Sequence, residues 1–143
     1  MPLALLTGGG SLIGEGIACT LATRGWAVAV TDVNLDLAQK VARLAGSKAQ
    51  AHHLDTTDRA QVDATVSQLL ARHGAIDALV NASGGMRGLG IAKSDFVDMA
   101  PETWKRLLTV NFESVLNCTH AVLPGMIAQK RGAISREWPL TLI

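Results

Sequence analysis

A run of glycines between a strand pattern and a helix pattern constrains this chain more than any other feature. Residues 2–6 are almost wholly apolar and too few for a helix, which predicts a short buried strand. The segment GGGSLIGEG follows, beginning at Gly8. Residues 12–24 then change to a helical period, with an apolar face formed by Ile13, Ile17 and Leu21. A turn without side chains lets a phosphate reach the unpaired N–H groups at the start of a helix, so the segment predicts a phosphate-binding turn.

The rest of the chain continues the alternation of strand and helix. Strands are predicted at residues 26–31, 49–54, 76–80 and 133–135. Helices are predicted at residues 34–44, 58–73 and 101–129. Short strands that alternate with helices of this length are typical of βαβ units, which form a parallel sheet with right-handed crossovers.

Composition narrows the class of protein. The chain has 143 residues, 48% of them hydrophobic, and a formal net charge of +1 from 13 Lys and Arg against 12 Asp and Glu. That balance predicts a folded domain with no basic face for nucleic acid. No run approaches the ~20 apolar residues of a membrane span, and the first residues do not form a signal peptide. Two cysteines make no disulfide framework, so we expect a cytoplasmic protein that does not bind a membrane.

Two acidic residues follow the next two predicted strands. Asp32 ends the second strand, about 20 residues past the glycines, where a carboxylate can accept both ribose hydroxyls of an adenosine. The same charge would repel a 2′-phosphate, which favours NAD over NADP. Asp55 ends the third strand and could face the adenine. Each also has a structural alternative, a cap near Asn34 for the first and an ordinary turn for the second, and adenosine-binding methyltransferases place acids similarly.

The ordered set of motifs resembles the N-terminal part of the short-chain dehydrogenase/reductase family. The set comprises Thr7-Gly8 with Gly14, then Asp32, Asp55, the segment Asn81-Ala82-Ser83-Gly84, and Asn111. The resemblance covers residues 3–134. It implies a three-layer Rossmann-type parallel sheet of strand order 3-2-1-4 with a partial fifth strand, and NAD(P)-dependent hydride transfer to or from an alcohol or carbonyl substrate.

The resemblance also implies a role for each matching position. The pyrophosphate of the dinucleotide would lie against Thr7, Gly8, Ser11, Leu12, Ile13 and Gly14. Asp32 would hold the adenosine ribose and Asp55 the adenine, while Asn81, Ala82, Ser83 and Gly84 would border the central part of the cofactor. Asn111 matches the helix asparagine that helps to hold a water of the catalytic proton relay. The four histidines lack metal-ligand spacing, so no metal is expected.

Two departures from the family pattern affect the predicted activity. Leu12 stands where the family has a glycine, and its side chain is expected to weaken cofactor binding. The sequence contains no tyrosine, so the family's catalytic Tyr-Lys pair cannot be formed from it. Residues 136–143 also lose the family pattern. We therefore expect an incomplete dinucleotide-binding domain at 1–135, an atypical tail at 136–143, a truncated or frame-altered product, and no activity by this chain alone.

Alternative functions stay open on the sequence. One is a non-catalytic dinucleotide-binding or interaction module, and another is an S-adenosylmethionine-binding domain. Members of the resembled family pair through the helix that corresponds to residues 104–129, which predicts a homo-oligomer. An open sheet edge would also expose apolar residues of that helix, expected to be Val115, Leu116, Val122 and Leu123.

Overall fold

Five parallel strands form the centre of the fold. The computed structural model describes residues 1–86, 89–92 and 94–136. The strands are β1 (Leu3–Thr7), β2 (Ala27–Asp32), β3 (Ala49–His53), β4 (Ala78–Asn81) and β5 (Ala133–Arg136). Their order in the sheet is β3-β2-β1-β4-β5, which confirms the predicted order and the partial fifth strand.

The fifth strand includes the first residue of the segment that is predicted to be an atypical tail. Arg136 was expected to begin the atypical tail, but it pairs with Asn81 as the last residue of β5. The strand continues because its backbone hydrogen-bonds to β4, whatever its side chains are. The remaining tail, residues 137–143, lies outside the described residues.

Helices connect the strands on both faces of the sheet. They are α1 (Leu12–Thr23), α2 (Leu35–Ala45), α3 (Arg59–His73), α4 (Pro101–Leu108) and α5 (Ser114–Ala128). The predicted caps are confirmed: Asn34 Oδ1 accepts from Leu37 N, and Asp58 Oδ1 accepts from Ala60 N and Gln61 N. Pro101 opens α4 as expected, because its missing N–H would have no partner there.

The core consists of two apolar clusters, one on each face of the sheet, which gives the predicted three layers. Alternate residues of β1 contribute to opposite clusters. Leu3 and Leu5 pack against α3 and α5, and Leu6 packs against α1 and α2. The predicted face of α3 is confirmed by Val62, Val66 and Leu69, all buried. Together the two clusters fix the sheet edge at which the strands end.

The predicted face of α1 is wrong in part. Its buried residues are Gly14, Ala18 and Ala22, whereas Ile13 is exposed and Ile17 and Leu21 only flank the cluster. The helix lies close to the sheet, and only small residues fit between them. The pattern of large apolar residues therefore marks the border of the contact and not its centre.

The long helix predicted from residue 101 to 129 has a wider turn inside it. A π-helical segment, Thr109–Glu113, separates α4 from α5. Leu116 and Leu123 are exposed as expected and Val115 is half-buried, but Val122 is buried against the sheet. The prediction for Val122 is wrong because α5 turns that residue toward β4 and α3.

Neither a membrane span nor a metal cluster is found in the described part of the chain. None of its helices is both long and apolar enough to cross a bilayer. Within the same residues, no three His, Cys, Asp or Glu side chains converge as they would around a metal ion.

Candidate functional site

The glycine turn packs directly against the loop that follows β4. Thr7 is buried at the end of β1, where its carbonyl accepts from Ala82 N at 3.2 Å and its Oγ1 accepts from Ser83 N at 3.3 Å. Gly8 has φ +61°, and a Cβ there would lie 2.6 Å from the carbonyl oxygen of Ala82. The two loops predicted to bind the cofactor therefore meet at this edge of the sheet, in contact through backbone.

A second close approach places the amino end of α1 over the turn. A Cβ on Gly14 would lie 2.6 Å from Gly9 Cα, so no side chain fits between the helix and the turn. Ser11 caps the helix: its Oγ accepts from Gly14 N at 3.0 Å and donates to the carbonyl of Gly8 at 2.9 Å. The backbone N–H groups of Leu12 and Ile13 have no acceptor among the described residues. They are the donors that a phosphate could meet at a helix amino end.

Asp32 faces this turn from the end of β2. Its Oδ2 accepts from Gly10 N at 3.0 Å and its Oδ1 accepts from Asn34 N at 2.9 Å. The side chain is half-buried, and each carboxylate oxygen has a further lone pair. The carboxylate therefore lies against the glycine turn, and its contact with a ribose stays a prediction.

Asp55 has a turn role in the structure. Its Oδ1 accepts from Thr57 N at 2.9 Å and from Thr57 Oγ1 at 2.7 Å. The strand before it lies beside β2, since Leu54 N donates to the carbonyl of Asp32 at 3.0 Å. The residue thus lies near Asp32, and its contact with adenine stays a prediction.

Asn111 holds the loop that follows β4. Its Oδ1 accepts from Gly85 N at 2.6 Å, and its Nδ2 donates to the carbonyls of Gly85 at 3.3 Å and Leu107 at 3.0 Å. A Cβ on Gly84, which has φ +147°, would lie 2.7 Å from Asn111 Oδ1. Asn111 lies in the π-helical segment, a feature often found at functional sites. The structure therefore shows its side chain positioning backbone, and its relay role stays a prediction.

Side chains at the ends of β4 and β5 lie beside the loop that follows β4. Asn81 is buried at the end of β4, and its Nδ2 donates to the carbonyl of Ser135 at 3.5 Å. Arg136, at the end of β5, donates from its guanidinium to the carbonyl of Asn111. The contact of Arg136 with Asn111 was not predicted from the sequence, because the two residues are distant in the chain.

Leu12 is the residue that fits this site least well. It is the first residue of α1, and its side chain is 85% exposed at the helix end where a phosphate would approach. The exposed side chain of Leu12 therefore lies beside the free N–H groups of Leu12 and Ile13 at the start of α1.

Comparison with known proteins gives matches over nearly the whole chain. The family model for short chain dehydrogenases matches residues 2–135. A sorbitol dehydrogenase of Cereibacter sphaeroides is 37% identical over 129 residues, which cover 90% of this chain and 48% of that protein. A cyclohexanol dehydrogenase of Acinetobacter is 33% identical over 135 residues, 92% of this chain and 52% of that protein.

Solved structures give the same result. An NAD+-bound xylitol dehydrogenase superposes with a TM-score of 0.87 at 30% identity, covering 94% of this chain and 52% of that one. A metagenomic short-chain oxidoreductase in complex with NADP superposes with a TM-score of 0.85 at 31% identity. The match covers 94% of this chain and 61% of that one. The chain spans about half the length of the curated relatives it matches.

Proposed function

This chain belongs to the short-chain dehydrogenase/reductase family, and we propose that it is the NAD-binding part of an oxidoreductase acting on alcohols or carbonyls. The observation that carries the proposal is the position of the Asp32 carboxylate against the glycine turn. The fold and the family belong equally to enzymes that bind either dinucleotide. The proposal for NAD therefore depends on this acid.

The described residues fit a dinucleotide. The close approaches of Gly8 and Gly14 leave backbone, not side chains, at the turn, and the free N–H groups of Leu12 and Ile13 suit a pyrophosphate. Asp32 would accept from the ribose hydroxyls. When bound, the nicotinamide supplies or takes up the hydride. The loop from Asn81 to Gly84, held by Asn111, would orient the central part of the cofactor.

NAD is proposed over NADP on electrostatic grounds. A 2′-phosphate would bring negative charge beside the carboxylate of Asp32. Two negative charges in contact repel each other more strongly in a protein cleft than in bulk water. No Lys or Arg stands between Gly8 and Gly14 or directly after Asp32 to compensate. The relatives of known structure include an NAD+ and an NADP complex, so they favour neither cofactor.

We propose that these 143 residues bind the dinucleotide without catalysing hydride transfer. Proton delivery in this family uses a Tyr activated by a Lys, and the sequence contains no Tyr. Asn111 would be the one relay residue present, and its side chain is engaged with backbone. An unidentified alcohol or carbonyl substrate would then be turned over only with the missing groups supplied.

Calorimetry and a turnover assay test this function together. The chain is titrated with NAD, NADP and S-adenosylmethionine, then assayed with NAD and a secondary alcohol. We expect binding that prefers NAD and no turnover. Turnover would refute the proposed inactivity, and binding of S-adenosylmethionine alone would refute the proposed cofactor.

Self-association is proposed through the long helix. Its exposed apolar residues recur along one side over five turns: Leu108, Phe112, Leu116, Leu123 and Ile127. An exposed apolar stripe of this length is typical of an interaction surface. We propose that two copies pair through it.

A further inference from the structure

A shallow groove along the edge of β3 lies apart from the dinucleotide site. It has a volume of about 540 Å³ and is lined by α2, β3 and the last turn of α3. The glycine turn follows the carboxyl end of β1, whereas this groove lies along β3 at the outer edge of the sheet and shares no lining residue with that turn. Its size is within the range of small-molecule sites, roughly 300–1,000 Å³.

The charged residues of the groove are all basic. Arg43 from α2 and Arg72 from α3 line it, with the imidazole of His52 from β3. Gln39 and Gln50 add amide groups, and no carboxylate belongs to the lining. Among the described residues, neither guanidinium has a hydrogen-bond acceptor or an acidic partner.

The imidazole of His52 lies beside these positive charges. Burial, with the positive charges of Arg72 and His73, holds the pKa of His52 below its ordinary value. His52 Nε2 is also buried without a hydrogen-bond partner among the described residues. Buried polar atoms without partners are uncommon and call for an explanation. An anion would neutralise the guanidiniums.

We propose that the groove is an oxyanion site that takes a phosphate group between Arg43 and Arg72. A guanidinium binds phosphate through paired N–H donors, and the glutamine amides can bind its remaining oxygens. The phosphate is either free or carried by a small metabolite. The inference goes beyond the proposed dinucleotide function and does not depend on it.

An NMR titration of the full chain tests the site. Nitrogen-15-labelled protein is titrated with inorganic phosphate, and separately with glycerol 3-phosphate, at constant ionic strength set by sodium chloride. We expect saturable shifts of the Gln50 and His52 backbone N–H signals. Saturation by the inorganic ion alone assigns free phosphate, and saturation by the ester assigns a phosphorylated metabolite. Shifts that stay linear with both anions would overturn the proposal.

Variants separate the site from general charge effects. R43Q and R72Q, both at exposed residues, should each raise the Kd by about tenfold, because charge-assisted hydrogen bonds are lost. R24Q is the matched control, since Arg24 is also exposed at a helix carboxyl end but lies outside the groove. An equal effect of R24Q, or no effect of R43Q and R72Q, would contradict the site. Circular dichroism in the sodium chloride solution without phosphate checks that each variant is folded.

Discussion

The carboxylate of Asp32 accepts a hydrogen bond from the backbone N–H of Gly10 at 3.0 Å. The bond joins the end of β2 to the turn between β1 and α1, and a Cβ on Gly10 would lie 3.0 Å from the same oxygen. The acid proposed to select the cofactor therefore also fixes the shape of the turn that would bind its phosphates.

The close packing of the turn predicts opposite results at two glycines of α1. Gly14→Ala should destabilise the fold by about 1–3 kcal/mol, because the added methyl would meet the backbone of Gly9 at 2.6 Å. Gly16→Ala should stabilise it by about 0.5–1 kcal/mol, since nothing lies within 4 Å and alanine favours a helix. Urea unfolding measures both. Equal effects at the two positions would contradict the close approach.

The exposed side chain of Leu12 predicts a gain of affinity on its removal. Leu12→Gly should tighten NAD binding by about tenfold, because it opens the amino end of α1 to the pyrophosphate. Leu35→Gly is the matched control, since Leu35 is the first residue of α2 and follows a cap in the same way. It should lower stability without changing affinity. Unchanged calorimetric affinity in Leu12→Gly would show that the leucine does not obstruct the site.

The contacts of Asn111 predict a local loss of protection. Asn111→Ala removes the acceptor of Gly85 N–H, and the lost part-buried bonds should cost about 1–3 kcal/mol. Hydrogen exchange at Gly85 should accelerate more than exchange in β1. Asn117→Ala, which removes a bond to the carbonyl of Thr56, is the control and should leave Gly85 protected. Identical exchange of Gly85 in both variants would contradict the positioning role.

The apolar side of the long helix predicts an effect on association. Leu116→Asp should shift the chain toward monomer, because a carboxylate would be buried in the proposed contact between copies. Leu44→Asp places the same charge on α2, where the leucine is similarly exposed, and should leave association unchanged. Sedimentation velocity distinguishes the two. A monomer before mutation, or an unaffected dimer after it, would exclude pairing through α5.

The sequence predicts the position of the candidate site residues best where that position depends on local backbone geometry. The glycines, Asp32 and Asn34 lie at strand ends and caps, so their roles depend on local geometry that a pattern can record. The buried face of α1 was missed because Gly14 and Ala18 are small, and their contact depends on how close the helix lies to the sheet. The contact of Arg136 with Asn111 joins residues far apart in the chain, and no local pattern could have indicated it.

Calorimetry of the wild-type chain, D32A and D32N with NAD and NADP tests the central claim most directly. D32N keeps an acceptor for Gly10 N–H but removes the charge, so it should narrow the preference for NAD by about tenfold or more. D32A should narrow it similarly and weaken NAD binding further, because the ribose acceptor is lost. D36N, at an exposed acid of the first turn of α2, is the control and should keep the wild-type ratio. An NAD-to-NADP ratio unchanged in D32A and D32N would contradict the account.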